Sequence, residues 1–380
     1  MFRESYSRFL LPLMLIVIAV PVAAQQKSKS CFTADERASA EARAKVWAEP
    51  DPGYDPVLGY NPATGPRRGS PPVDSNGLAL PINCVANRDE TPGAGTTPKF
   101  HCSVAGVTDE DGDLIRYKVK PHFKGQSKEK RNGEINGEFL SSRFSKALGF
   151  FADDEWVVDV TCPDCEKSLT RGFQAGATFS PFQPAAGIEM SLGHGIDVKC
   201  NGKDSAGLAA TLQKLLASGA PRAQIDAFKL WLAFIDHGDT KTDNHKIACL
   251  DSKSNPDGTR TCKPGQAVFY VSDMGSTFGY SSASEKKATL NGWKGKDPIK
   301  VSGGSCSSTA KSVGDASISE AGRQLLANGL QKLLDAEKEK GTITGVFRAS
   351  RNAERDQLPE AWTAEFIRKA NTIINARCSN

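Results

Sequence analysis

The sequence predicts an α+β protein of two lobes, a small antiparallel sheet carrying one helix followed by a mostly helical lobe. Three observations lead there. Between residues 99 and 160, strand-length apolar runs are broken by Gly- and Asp-rich turns, with a single helical stretch among them. Beyond residue 206 the apolar spacing becomes that of amphipathic helices. A chain of 380 residues also exceeds what one compact lobe ordinarily needs.

Residues 1–24 read as a cleaved secretory signal, because Arg3 and Arg8 precede an apolar run over 9–22 that ends in the small residues Ala23 and Ala24. That run contains Pro12 and Pro21 and is shorter than the roughly twenty residues a spanning helix needs, so no stable membrane span is expected after cleavage. Residues 25–77 form an N-terminal extension. Within it, 33–47 is rich in Ala and Glu and reads as a helix, whereas 49–77 accumulates Pro, Gly and Asp without apolar periodicity. The sheet lobe occupies 78–170. Its strands at 99–107 and 114–120 are joined by the acidic turn Asp109-Glu-Asp-Gly-Asp113. Its helix at 137–148 places Phe139, Leu140, Phe144, Ala147 and Leu148 at helical spacing and stops at Gly149, and 156–160 returns to strand. The helical lobe, 171–380, opens with helices over 206–217 and 221–236, Pro221 suiting the first turn of the second. Short apolar strands follow at 247–250 and 267–271, and two long amphipathic helices over 317–338 and 360–377 close the chain.

Composition excludes some partners. A formal net charge of +4 with 24% charged residues is too mild to imply nucleic acid or a membrane surface. The ten Cys all follow the signal segment, and an even number in an exported chain points to disulfides. Cys249 and Cys262 bracket a polar loop between the two short strands, and Cys84 with Cys102 brackets the Pro/Gly-rich stretch 92–98. Cys162-Pro-Asp-Cys165 admits a redox dithiol or half a zinc site as well as a bridge, but no second C-x-x-C or His pair accompanies it. With no N-x-[ST] sequon, the expected location is a bacterial periplasm or the medium outside the cell.

The chemistry gathers in Ile235-Asp-His-Gly-Asp-Thr-Lys-Thr-Asp-Asn244, which has the pattern H-x-D-x-K-x-x-N, and in Asp273-Met-Gly275. Moving a phosphoryl group requires positive charge on the phosphate oxygens, a divalent cation and an anion beside the acceptor hydroxyl, all fixed in place. Lys118 and Lys120 project to one face of their strand, and Lys120 is the better phosphate ligand. Glu138, opening the next helix, can hold that Lys forward. Asp239 would orient the acceptor, Lys241 would neutralise developing charge, and Asn244 with Asp273 would ligate Mg2+ or Mn2+.

In this order the motifs resemble those of the atypical kinase-like group that includes HipA-like and phosphoinositide kinase-like proteins. Glu138-Phe-Leu-Ser-Ser-Arg143-Phe-Ser-Lys-Ala147-Leu-Gly149 is similar to their helix pattern E-x-x-x-x-R-[LF]-x-x-A-L-G, and Val119-Lys-Pro121 to their strand carrying the nucleotide-binding Lys. Over 93–280 the resemblance implies a two-lobed protein-kinase-like fold with ATP and metal between the lobes. The chain departs from that pattern in lacking G-x-G-x-x-G before Lys120; Gly93, Gly95 and Thr96 form either a substitute phosphate loop or a plain connection. The insertion between Asn244 and Asp273 is also long. Two functions follow: an exported kinase acting on a protein, sugar or lipid hydroxyl, or a catalytically silent kinase-like fold that binds a ligand or partner in the cell envelope. A metal hydrolase would want a helical H-x-x-x-H, which is absent, and His194 reads as a loop residue.

Overall fold

The computed structural model describes residues 31–87, 99–108, 112, 114–121, 133–163, 165, 182–192, 194–195, 198–199, 202–203, 207–241, 244–279, 288–352 and 356–379. Residues 1–24, expected to be a signal segment, the candidate loop residues Gly93, Gly95 and Thr96, and most of the acidic turn 109–113 lie outside these. The protein is a mixed α/β structure with eight helices and several sheets among the described residues.

Strand β1 (Cys31–Phe32) and helix α1 (Ala34–Arg43) come first, the helix capped by the Thr33 hydroxyl, which accepts from the Glu36 N–H at 3.2 Å. Residues 44–81 contain turns and isolated bridges but no helix. They pack on the rest of the chain: Val46 is fully buried, and Trp47 donates its indole N–H to Leu148 O at 2.7 Å. Then follow β2 (Ile82–Asn83), β3 (Val85–Ala86), β4 (Phe100–Thr108), β5 (Leu114–Lys120), α2 (Gly133–Ala147), β6 (Asp154–Thr161) and β7 (Phe182–Met190). The six strands form one sheet in the order β2-β6-β7-β5-β4-β3, antiparallel except where β2 runs parallel to β6. Successive side chains on a strand alternate between faces. Tyr117, Val119, Trp156, Val158, Ala186 and Ile188 therefore pack into an apolar core on one face. Lys118, Lys120, Glu155, Val157, Gly187 and Glu189 point to the other, where α2 lies. Strand β7 follows residue 170, the boundary expected from sequence, and sits at the centre of this sheet.

Short strands β8 (His194–Gly195), β9 (Val198–Lys199) and β10 (Gly202–Lys203) lead to α3 (Leu208–Ala217) and α4 (Arg222–Phe234). Next come β11 (His245–Cys249), β12 (Ser252–Ser254), β13 (Thr259–Cys262) and β14 (Ala267–Val271). Strand β11 pairs antiparallel with β14, and the insertion between them folds into its own hairpin, β12–β13, tied at its base by the Cys249–Cys262 disulfide. Helix α5 (Leu290–Trp293) and a sheet of β15 (Ile299–Ser302), β16 (Ser305–Ser308) and β17 (Ser317–Ile318) precede α6 (Glu320–Lys340), α7 (Thr342–Ala349) and α8 (Pro359–Asn375). Every residue of α4 from Ile225 onward is buried, which makes it the central helix. Phe144 of α2 enters the same core and packs at a tilt against Phe347 and Phe366 at ring separations of 5.6 and 4.8 Å. Helix α2 thus has one side on the sheet's polar face and the other in the helical core. Cys84–Cys102, Cys162–Cys165 and Cys306–Cys378 are also bridged. Among the described residues no helix is long and apolar enough to cross a membrane.

Candidate functional site

The site is built where β5, α2 and the segment after β14 meet. Strand alternation turns Lys120 toward α2, and only 3% of it is exposed. Its ammonium pairs with Glu138, with Glu134 Oε2 at 3.6 Å and with Asp273 Oδ1 at 3.7 Å. Burial works against that charge, but the carboxylates of Asp273, Glu138 and Glu134 outweigh it and hold the Lys120 pKa well above its usual value. Lys120 in turn, against the effect of burial, keeps Asp273 far below the ordinary carboxylate range and so ionised. Glu138 goes the other way, burial exceeding the pull of Lys120 and Lys118 and pushing it up to about 8. Helix α2 begins at Gly133, so Glu138 lies in its second turn rather than at its start, and Glu134 occupies the first.

Two glycines let this helix approach the Asp273 segment. A Cβ on Gly275 would stand 2.6 Å from Glu134 Cγ, and one on Gly137 would stand 2.8 Å from Gly275 O. Across the same contact, the Thr277 hydroxyl is 3.0 Å from that of Ser141 and donates to Met274 O at 2.7 Å. The Gly of the D-M-G motif is therefore a packing requirement.

The H-x-D-x-K-x-x-N loop follows α4 and is stitched to the Asp273 segment by backbone hydrogen bonds, Gly238 N to Ser276 O at 2.8 Å and Phe278 N to Ile235 O at 2.6 Å. Asp239 accepts from Lys241 at 2.8 Å, and the Asn244 amide donates to Asp239 O at 3.1 Å. The Lys241–Asp239 hydrogen bond supports the Lys241 ammonium and raises its pKa. Since His245 pairs with Val271, Asn244 and Ser272 face each other across the open end of the β11–β14 hairpin, where Ser272 N donates to Asn244 O at 2.8 Å. Asn244 and Asp273 are thereby brought to one end of the hairpin despite the insertion between them. Asn244 Oδ1 and an ionised Asp273 carboxylate are a hard-oxygen donor pair of the kind Mg2+ or Mn2+ takes, so these residues fit such an ion.

The structure adds residues that motif reading missed. Across β5, β7 and β6, Lys118 is opposite Glu189 and Glu189 is opposite Glu155. Lys118 pairs with Glu189. Burial, with Glu138 and Glu189 nearby, pushes Glu155 well above the usual range. These partners come from strand register, which has no local sequence signal; only the alternation of β5 and β6 hinted at the face. His237 and His245 are both buried, 6.2 Å apart between ring centroids, and burial pushes each down to about 4. The Cys162–Cys165 pair is bridged and wholly buried in the sheet core, as a structural disulfide.

No family model matches this chain, and no curated protein matches it. Among solved structures it is similar at 9% identity to a proinflammatory kinase of Helicobacter pylori, CtkA, with a TM-score of 0.36 over 77% of this chain and 98% of that one.

Proposed function

We propose that the protein is an exported kinase-like phosphotransferase that moves the γ-phosphoryl group of ATP to a hydroxyl of a protein, sugar or lipid. The observation that carries this reading is the convergence of buried Lys120 and Glu138 with the partly exposed Asp273, from three separate segments, in one ion-pair set beside the loop that bears Asp239 and Asn244. Lys120 would meet the phosphate oxygens, with Glu138 fixing the direction of its ammonium. Asp239 would accept a hydrogen bond from the acceptor hydroxyl and Lys241 would balance the charge developing there. Asn244 and Asp273 would hold Mg2+ or Mn2+, whose contribution is to neutralise phosphate charge.

The test is a thermal melt of the purified chain with ATP and Mn2+. At about a hundred times its Kd, ATP should stabilise the protein by about 2.7 kcal/mol, a rise of several degrees. Asp273→Asn should remove most of that rise. The absence of any nucleotide-induced rise in the unaltered protein would sink the reading, whereas a rise without phosphoryl transfer to any acceptor would leave a silent nucleotide-binding fold.

A further inference from the structure

Under α2, three carboxylates share one small space. Glu155 and Glu189 are directly opposed on neighbouring strands, 5% and 9% exposed, an arrangement that is repulsive unless something positive lies near both. Glu138 comes down from the helix above. One oxygen from each of the three lies within 4.8 Å of the others. Oxygens bound to one Ca2+ at about 2.3–2.6 Å are separated by no more than about twice that distance, so the spacing is one that an ion of this size spans, and smaller ions draw the carboxylates slightly closer.

The existing cations do not serve all three. Lys120 engages Glu138 and Lys118 engages Glu189. The Glu155 carboxylate has no hydrogen-bond or ion-pair partner among the described residues. It borders a cavity of about 10 Å3, room for one water-sized guest, lined also by Glu138, Ser142, Asp153 and Ser272 and adjoining Glu189 only through the close approach of the three carboxylates. A buried, directly opposed acid whose positive neighbours, Lys118 and Lys120, are engaged by other carboxylates is costly. The observations therefore call for either a proton on Glu155 or a cation between the carboxylates.

We propose that Glu138, Glu155 and Glu189 form an internal site for a hard divalent cation of the Mn2+, Mg2+ or Ca2+ class, distinct from the pair Asn244 and Asp273. Three carboxylates without His or Cys select such ions over zinc or copper. The cation ties β6 and β7 to α2, and so sets the position of Glu138 relative to Lys120. Glu138 is its one link to the phosphotransfer reading, and nucleotide plays no part in binding at this site.

Mn2+ alone is the probe, counted by electron paramagnetic resonance on the full chain after chelator treatment and with no nucleotide present. One Mn2+ should bind per chain and raise the melting temperature. Glu155→Gln, which keeps the side chain's shape, should weaken that binding more than tenfold and abolish the rise, as should Glu189→Gln. No bound Mn2+ in the unaltered chain, or equal binding in the Glu155→Gln chain, overturns the proposal in favour of a protonated Glu155. Failure of ATP binding with Mn2+ still bound would overturn only the kinase reading.

Discussion

Removing the Lys120 ammonium would leave the buried Glu138 and Glu134 facing Asp273 without the charge that pairs with all three. Breaking a buried ion-pair set from one side costs about 3–5 kcal/mol. Lys120→Met should therefore lower unfolding stability by that order in urea titration, and adding Glu138→Gln should return part of the loss, since a neutral amide leaves no uncompensated carboxylate charge there. Stability unchanged in Lys120→Met would mean that the set carries no such energy. The paired imidazoles give a second prediction. His237 falls from an ordinary 6.5 to about 4 through burial. The unfolded chain takes up its proton first as pH drops, so the stability that neutral His237 contributes is fully present above 6.5 and is lost as pH falls toward 4. The stability difference between the unaltered chain and His237→Gln should shift against the former by on the order of 2–3 kcal/mol between pH 7 and 4.5. Taking the difference cancels the carboxylates that titrate in the same range. At this scale the motif residues were legible because each sits in a local pattern, whereas Glu155 and Glu189 acquire their roles only from the pairing of β6 with β7.

Helix α2 is the element on which the site depends, since it contributes Glu134 and Glu138 and fits the Asp273 segment only because Gly137 and Gly275 lack side chains. Gly275→Ala would place a Cβ 2.6 Å from Glu134 Cγ, so the helix or the segment must move. Overpacking of this kind costs about 1–3 kcal/mol. The expected result is a lower urea midpoint at unchanged slope together with a weakened ATP-induced rise in melting temperature. A midpoint equal to that of the unaltered chain would show that the contact yields freely. The sequence announced α2 through its apolar spacing and the stop at Gly149, which has φ +86°. It did not announce β7, because Pro184 and Gly187 interrupt the strand pattern. Gly187 has its own reason to be there: a Cβ would come 2.9 Å from Ile135 of α2. Helix α7 went unread for a similar reason, being short and holding Gly345, where a Cβ would meet Val57 at 2.8 Å.

Across the whole molecule, the four disulfides among the described residues differ most in how much chain each closes. Cys162–Cys165 spans 3 residues, Cys249–Cys262 spans 13, Cys84–Cys102 spans 18 and Cys306–Cys378 spans 72. Three of these pairs were legible because their partners are close in sequence and bracket a turn or loop. The fourth was not, because connectivity between distant Cys has no sequence signal. It joins β16 to the chain beyond α8, where Cys378 N also donates to Glu320 Oε2 at 2.9 Å and Ser379 N to Gly304 O at 2.8 Å. Closing a longer loop removes more freedom from the unfolded chain, by about 4 kcal/mol for the span of 72. Replacing Cys306 and Cys378 together by Ser should therefore lower the melting temperature by roughly 5–10 °C, more than the corresponding change at any other bridge, with Cys162 and Cys165 giving the smallest effect of loop closure. Calorimetry on the four double variants decides the matter. A larger loss at Cys162–Cys165 than at Cys306–Cys378 would show that packing around the bridges, and not the length of chain they close, sets their contribution.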